Sequence, residues 1–236
     1  MADKKQKKQN TEILGDNLNF AGKEAYNLLR TNLMFSVPTG ERKGKVIGVT
    51  SSVHGEGKSL TSLNIAYSLA CNNDKVLVIE CDLRLPSLAQ KLGLRKKGSG
   101  LSHMLAGMKL SEDVVKQRIL EPSMDVILAG ETPPNPSELL GSKSMANIIE
   151  AMAGHYDYVI LDLPPVEAVS DALIVSQYVD AIVIVVRQDV TTSSDLGNTI
   201  RQLQYVGANI AGIVYNDASA KHKTKKGYYG HYKAKS

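Results

Sequence analysis

The stretch KVIGVTSSVHGEGKSLTSLNIAYSLA, residues 45–70, decides the fold. Its opening KVIGVT is rich in β-branched side chains on both faces, as in a strand covered by helices on both sides. Its closing SLTSLNIAYSLA reads as a helix. Between them lies a Gly-rich loop that ends in Gly-Lys-Ser. Gly55 and Gly57 let backbone N–H groups approach phosphate oxygens, and the helix starting near Lys58 aims its positive dipole end at them. Lys58 reaches toward the β- and γ-phosphates of a nucleotide, and the Ser59 hydroxyl is a ligand for Mg²⁺. The general pattern places Gly at position 52, where this chain has Ser52.

Working outward, further apolar runs read as strands: KVLVIE (75–80), MDVILA (124–129), YDYVILDL (156–163), DAIVIVVR (180–187) and ANIAGIVYN (208–216). Segments 59–70, 135–154, 170–179 and 192–207 read as the covering helices. Alternating βα units predict a three-layer α/β fold of the P-loop NTPase type, with a mostly parallel central sheet. Ligands are expected at the carboxyl edge of that sheet.

Two carboxylate clusters sit at predicted strand exits. VLVIECDLR brings Glu80, Asp82 and Arg84 to the end of the second strand, and VILDLPP brings Asp162 to the end of a later one. In a parallel sheet both exits share the edge that carries the phosphate loop. Carboxylates there hold Mg²⁺ or its waters, or accept a proton from an attacking nucleophile.

With 236 residues, 43% of them hydrophobic, the chain has ample core for one domain. No apolar run approaches the ~20 residues of a membrane span, and no signal-peptide pattern opens the chain, so a cytoplasmic protein is expected. Cys71 and Cys81 have no metal-type spacing and are expected to be buried small hydrophobes.

Residues 1–10 carry +3 and residues 217–236 carry +5, so the body between them is −4 although the whole chain is +4. The expected organisation is a flexible basic segment (1–19), a nucleotide-binding domain (20–217) and a flexible Tyr/Lys-rich tail (218–236). Basic tails suit the anionic face of a membrane. No nucleic-acid fold signature accompanies them, and nucleic acid is not an expected partner. The tail KTKKGYYGHYKAKS gathers Tyr228, Tyr229 and Tyr232, although the whole chain has ten tyrosines. Unfolded segments are normally poor in aromatics, and substrate tyrosines would account for the excess.

The ordered set GEGKS, VLVIECDLR, TPPNPSELL and VILDLPPV resembles the bacterial tyrosine kinases (BY-kinases), in the form of a cytoplasmic kinase subunit of the Gram-positive capsule or exopolysaccharide type. The resemblance runs from about residue 20 to the end of the chain. It implies an ATP- and Mg²⁺-dependent protein-tyrosine kinase that autophosphorylates a C-terminal tyrosine cluster, here Tyr228, Tyr229 and Tyr232. It further implies a transmembrane activator that recruits the subunit to the inner face of the cell membrane, and other tyrosine-containing protein substrates.

Carried over by position, the resemblance assigns Gly55, Glu56, Gly57, Lys58, Ser59 and Leu60 to the nucleotide and Ser59, Asp82 and Asp162 to the metal. Asn216 falls at the position that contacts the adenine base. Lys58, Glu80, Asp82, Arg84 and Asp162 form the catalytic set, with Glu80 standing where the family pattern has Asp. EAYNLLRTNL (24–33) resembles the family's Glu-x-x-Arg-x-x-Arg motif for assembly into a homo-oligomeric ring. Glu24 and Arg30 match it, and Asn27 replaces the middle Arg. Ala25, Leu29, Leu33 and Val37 recur at four-residue spacing, which predicts an amphipathic helix. A flexible tail would reach a neighbouring subunit's site at high effective concentration.

Two other readings stay open on sequence: a partitioning-type ATPase switch and a non-catalytic nucleotide-binding scaffold. The switch proteins carry an extra lysine early in the loop, at the position of Val53 here.

Overall fold

The structure, a computed structural model, describes residues 15–38, 43–94, 98–109, 111–116, 119 and 124–218. Tyr228, Tyr229 and Tyr232 and the first fourteen residues lie outside the described residues. Six strands form one sheet: β1 (Lys45–Ser51), β2 (Val76–Glu80), β3 (Asp125–Ile127), β4 (Tyr158–Asp162), β5 (Ala181–Arg187) and β6 (Ile210–Asn216). Their order is β3-β2-β4-β1-β5-β6, and every neighbouring pair is parallel.

The central strands are buried on both faces, which explains their near-continuous apolar runs. Side chains alternate between two cores. Leu77, Ile79, Ile182 and Ile184 face one, and Val76, Val78, Val183 and Val185 face the other.

The second core is closed by α1 (Phe20–Ser36), α2 (Lys58–Ala70) and the short α3 (Leu88–Lys91). On the opposite side lie α4 (Leu101–Leu105), α5 (Ser111–Val114), α6 (Pro136–Leu140), α7 (Lys143–His155), α8 (Asp171–Val175) and α9 (Ser193–Tyr205). Segment 135–154 forms two helices where a single one is expected. Ser142 ends the first by standing in extended backbone and caps the second, accepting from the Met145 N–H. Segment 170–179 likewise tightens from α8 into a 3₁₀ turn at Ser176–Tyr178.

Packing begins earlier than residue 20. Gly15–Asn17 is a 3₁₀ turn, and the Gly15 N–H donates to Asn64 Oδ1 at 3.0 Å. Along α1, Leu33 and Val37 are buried and Leu29 packs against them, whereas Ala25 is exposed. Cys81 is buried as expected, but Cys71 sits at the C-cap of α2 and is exposed.

The order of the sheet positions the site. β4 lies between β1 and β2, with Glu80 in register with Asp162 and Asp162 in register with Val49. The loops leaving β1, β2 and β4 therefore emerge side by side at one carboxyl edge.

Candidate active site at the carboxyl edge of the sheet

The loop from Ser52 to Gly57 turns sharply between β1 and α2. Gly55 and Gly57 hold φ of +85° and +93°, the left-handed region that favours glycine. Gly57 is also the N-cap of α2 and supplies no side-chain cap. A β-carbon there would collide with the Asn216 amide. The N–H groups of the first turn of α2 are thus left for an anionic ligand.

The loop is braced from within and from the far end of the chain. Glu56 is fully buried, accepting from the Val53 N–H at 2.8 Å and from the Thr191 hydroxyl. Asn216 donates from Nδ2 to the Glu56 carbonyl at 2.9 Å. Arg187, ion-paired to Asp217 at 2.7 Å, donates to the Gly55 carbonyl at 3.2 Å. In this arrangement the Glu56 side chain is a strut, and Leu60 packs into the apolar cluster beneath α2.

At the mouth of the loop, Lys58 Nζ lies 3.1 Å from Asp82 Oδ2, 3.9 Å from Asp162 Oδ1 and 3.4 Å from Ser59 Oγ. Burial disfavours the ammonium, yet the charges of Asp162 and Asp82 outweigh it and hold the Lys58 pKa above its ordinary value. Burial pushes the Asp162 carboxyl up, against the opposing pull of Lys58 and the hydroxyls of Ser59 and Ser62. Its Oδ1 accepts from Ser62 Oγ at 3.2 Å, while its Oδ2 is buried without a hydrogen-bond partner.

That orphaned oxygen, with the Ser59 hydroxyl and Asp82 beside it, fits a hard cation that takes oxygen ligands. Among the described residues no group of three or more His, Cys, Asp or Glu is disposed to hold a metal. The set therefore suits an ion that arrives with phosphate oxygens and waters, as Mg²⁺ does.

Glu80 and Arg84 are placed differently from the other expected catalytic residues. The Glu80 carboxylate is buried and accepts three backbone N–H bonds, from Ser87 at 2.5 Å, Leu88 at 2.7 Å and Ala129 at 3.0 Å. Burial pushes its pKa up, against the pull of those amides. Arg84 turns away to the fully buried Asp171, with Nε 2.8 Å from Oδ2, and its NH2 donates to Ser137 Oγ at 2.9 Å. A cleft of about 260 Å³ is lined by Glu80 itself together with Arg84, Leu85, Pro86, Ala89 and Leu128.

Of the expected assembly residues on α1, Glu24 is exposed and accepts from Asn27 Nδ2 at 3.2 Å, while Arg30 donates to the Ser68 carbonyl of α2 at 2.7 Å. Sequence reading missed Ser62, Ser87, Ser137 and Asp171. Only Ser62 left a signal, one helical turn beyond Lys58 and Ser59 on α2. Ser87 Oγ donates to Ser59 Oγ at 3.1 Å, which joins the β2 exit loop to the phosphate loop.

The family model described as ParA: NUBPL iron-transfer P-loop NTPase matches residues 42–235. The tyrosine-protein kinase CpsD of Streptococcus pneumoniae is 36% identical over 94% of this chain and 97% of its own length. The chain belongs to the bacterial tyrosine-protein kinase family. As a member of that family it superposes on the kinase domain of the Escherichia coli tyrosine kinase ETK with a TM-score of 0.82, 32% identity, and coverage of 93% of this chain and 84% of that one. The chimerical protein CapA2B2 follows with a TM-score of 0.75, 30% identity, and coverage of 81% and 83%. The chain spans only 25% of a putative tyrosine-protein kinase EpsB from Ralstonia solanacearum and 28% of the kinase ptk from Acinetobacter johnsonii.

Proposed function

We propose that the protein is an ATP- and Mg²⁺-dependent protein-tyrosine kinase that phosphorylates its own C-terminal tyrosines between subunits and controls capsule or exopolysaccharide synthesis. The observation that carries this reading is the convergence of Lys58, Ser59, Asp82 and Asp162 at the ends of three adjacent strands, beside an uncapped helix N-terminus.

In this reading the phosphate loop and Lys58 hold the β- and γ-phosphates. A phenol oxygen bonds to the γ-phosphorus as the bond to the bridging oxygen breaks, ADP leaves, and the phenol proton passes to a carboxylate of the site. Mg²⁺, held through Ser59, Asp82 and Asp162, would neutralise charge on the phosphate oxygens. Lys58 carries fixed positive charge where negative charge shifts during transfer.

The acceptors are Tyr228, Tyr229 and Tyr232, with tyrosines of other proteins as further substrates. Glu24 and Arg30 contribute to a ring of subunits, and a transmembrane activator brings that ring to the inner face of the membrane. No helix among the described residues is long and apolar enough to cross a membrane, which fits recruitment through a partner. The ParA-type match favours a nucleotide-driven switch as the second reading.

Purified protein incubated with labelled ATP and Mg²⁺, with and without an activator fragment, separates the readings. Label on tyrosine is the expected result. Free phosphate alone would favour the switch, and neither product would favour a scaffold. Mixing a Lys58→Met chain with an active chain lacking residues 228–236 then tests transfer between subunits. The inactive chain's tyrosines should become labelled. An unlabelled mixture, beside wild type that labels itself at a concentration-independent rate, would place the tail in its own subunit's site.

A further inference from the structure

We propose that Glu80 is a positioning residue that closes the β2 exit loop onto its own start, and that it takes no proton during transfer. The proposal rests on the kinase reading above and gives Glu80 a different task from the catalytic one that the resemblance assigns to its position.

Three of the roughly four lone-pair positions of the Glu80 carboxylate are taken by backbone amides. A carboxylate offers about four lone-pair positions, and a general base must have one within reach of the phenol. At Glu80, Oε1 takes the N–H groups of Ser87 and Leu88 and Oε2 takes that of Ala129, in a side chain buried at the end of β2. Asp82 presents a different picture, since among the described residues its Oδ1 accepts from the Leu85 N–H at 3.0 Å and its Oδ2 faces Lys58.

The three donors identify what is being held. Ser87 and Leu88 begin α3, at the far end of the loop that Glu80 itself opens, and Ala129 follows β3. Between those ends the loop carries Asp82 to Lys58 and Ser87 to Ser59. A glutamate at position 80 reaches both ends at once. An aspartate, one methylene shorter by about 1.5 Å, would release either the α3 amides or Ala129.

The two functions of a carboxylate predict opposite rankings of two variants. As a positioning residue, Glu80→Gln retains the reach and one carbonyl oxygen for the α3 amides but sets its NH2 against the Ala129 N–H, so kcat falls by up to about tenfold. Glu80→Asp loses the reach, and kcat falls roughly 10–100-fold through misplacement of Asp82, with the KM for MgATP little changed. As a base, Glu80→Gln would fall by about 10²–10⁴-fold and Glu80→Asp would keep the wild-type rate. That second ranking overturns the proposal.

Amide hydrogen exchange of the full-length chain supplies a readout that does not depend on activity. In Glu80→Asp either the amides of Ser87 and Leu88 or that of Ala129 should exchange faster than in wild type, while Val78 within β2 stays protected. Unchanged exchange at all three also overturns the clamp. Should wild type fail to label tyrosine at all, the kinase reading falls and the exchange experiment still decides the role of Glu80.

Discussion

The Lys58 ammonium sits closer to Asp82 than to Asp162, 3.1 Å against 3.9 Å, so it hydrogen-bonds to the β2 exit loop while the charge of Asp162 faces it from the end of β4. Both carboxylates are almost fully buried and depend on that cation for compensation. One side chain thus carries both the charge that the proposed function gives to phosphates and the charge that offsets two buried carboxylates.

Replacing Lys58 with Met should lower tyrosine phosphorylation by about 10²–10³-fold, the usual scale for losing a preorganised charge at the transferred group. The melting temperature should fall as well, because two buried carboxylates lose their partner. Adding Asp162→Asn to that variant should restore much of the thermal stability and none of the activity. Activity close to wild type in folded Lys58→Met protein would refute the nucleotide site.

Asp162 gives a pH-dependent test in metal-free buffer. Its folded pKa is raised by burial, so the native state binds the proton more tightly than the unfolded chain does. Stability linked to this group is then present at acid pH and is lost as pH rises through the folded pKa. Asp162→Asn should melt higher than wild type at neutral pH, by roughly 2–4 °C for each kcal/mol relieved. The gap should close as pH falls toward the ordinary carboxylate range. A gap that widens on acidification would reverse the assigned direction.

Asn216 offers a separate handle on the loop. Its amide donates to the Glu56 carbonyl, so Asn216→Ala removes one hydrogen bond and should weaken binding of a fluorescent ATP analogue by up to about tenfold. Asn216→Asp sets an acceptor against that carbonyl beside the phosphate site and should be worse than Ala. Equal affinities for the two variants would show that the contact does not shape the loop.

Arg84 and Asp171 predict an asymmetry. Asp171 is fully buried, whereas the Arg84 side chain is 39% exposed. Removing the arginine strands a buried carboxylate with Ser137 as its remaining partner, at a cost of roughly 1–3 kcal/mol. Removing the acid lets the guanidinium rehydrate. Chemical denaturation should find Arg84→Ala less stable than Asp171→Asn, with the double variant recovering part of the loss.

The sheet and the phosphate loop were legible because period, glycine placement and strand exits are local properties. Lys58, Ser59, Asp82 and Asp162 could be brought together on paper, since parallel strands share one carboxyl edge. Side-chain direction was not legible in the same way. The groups that occupy Glu80 include an amide 49 residues away, and the partner of Arg84 lies 87 residues away. Neither is announced by any spacing. Arg30 was expected to serve assembly through its motif, and neither motif nor helical periodicity reveals that its long side chain bends back to the Ser68 carbonyl. The break at Ser142 is a cap, a choice between two helical registers that the residue type permits without requiring.

The tie between Asn216 and the phosphate loop spans 160 positions of sequence. During synthesis the loop leaves the ribosome long before its last brace does, and at 5–20 residues per second that delay is on the order of ten seconds. Through that interval β6 has not docked and the Glu56 carbonyl lacks its partner on that strand. In a nascent chain the phosphate loop accordingly stays without this brace until nearly all of the described fold has been made.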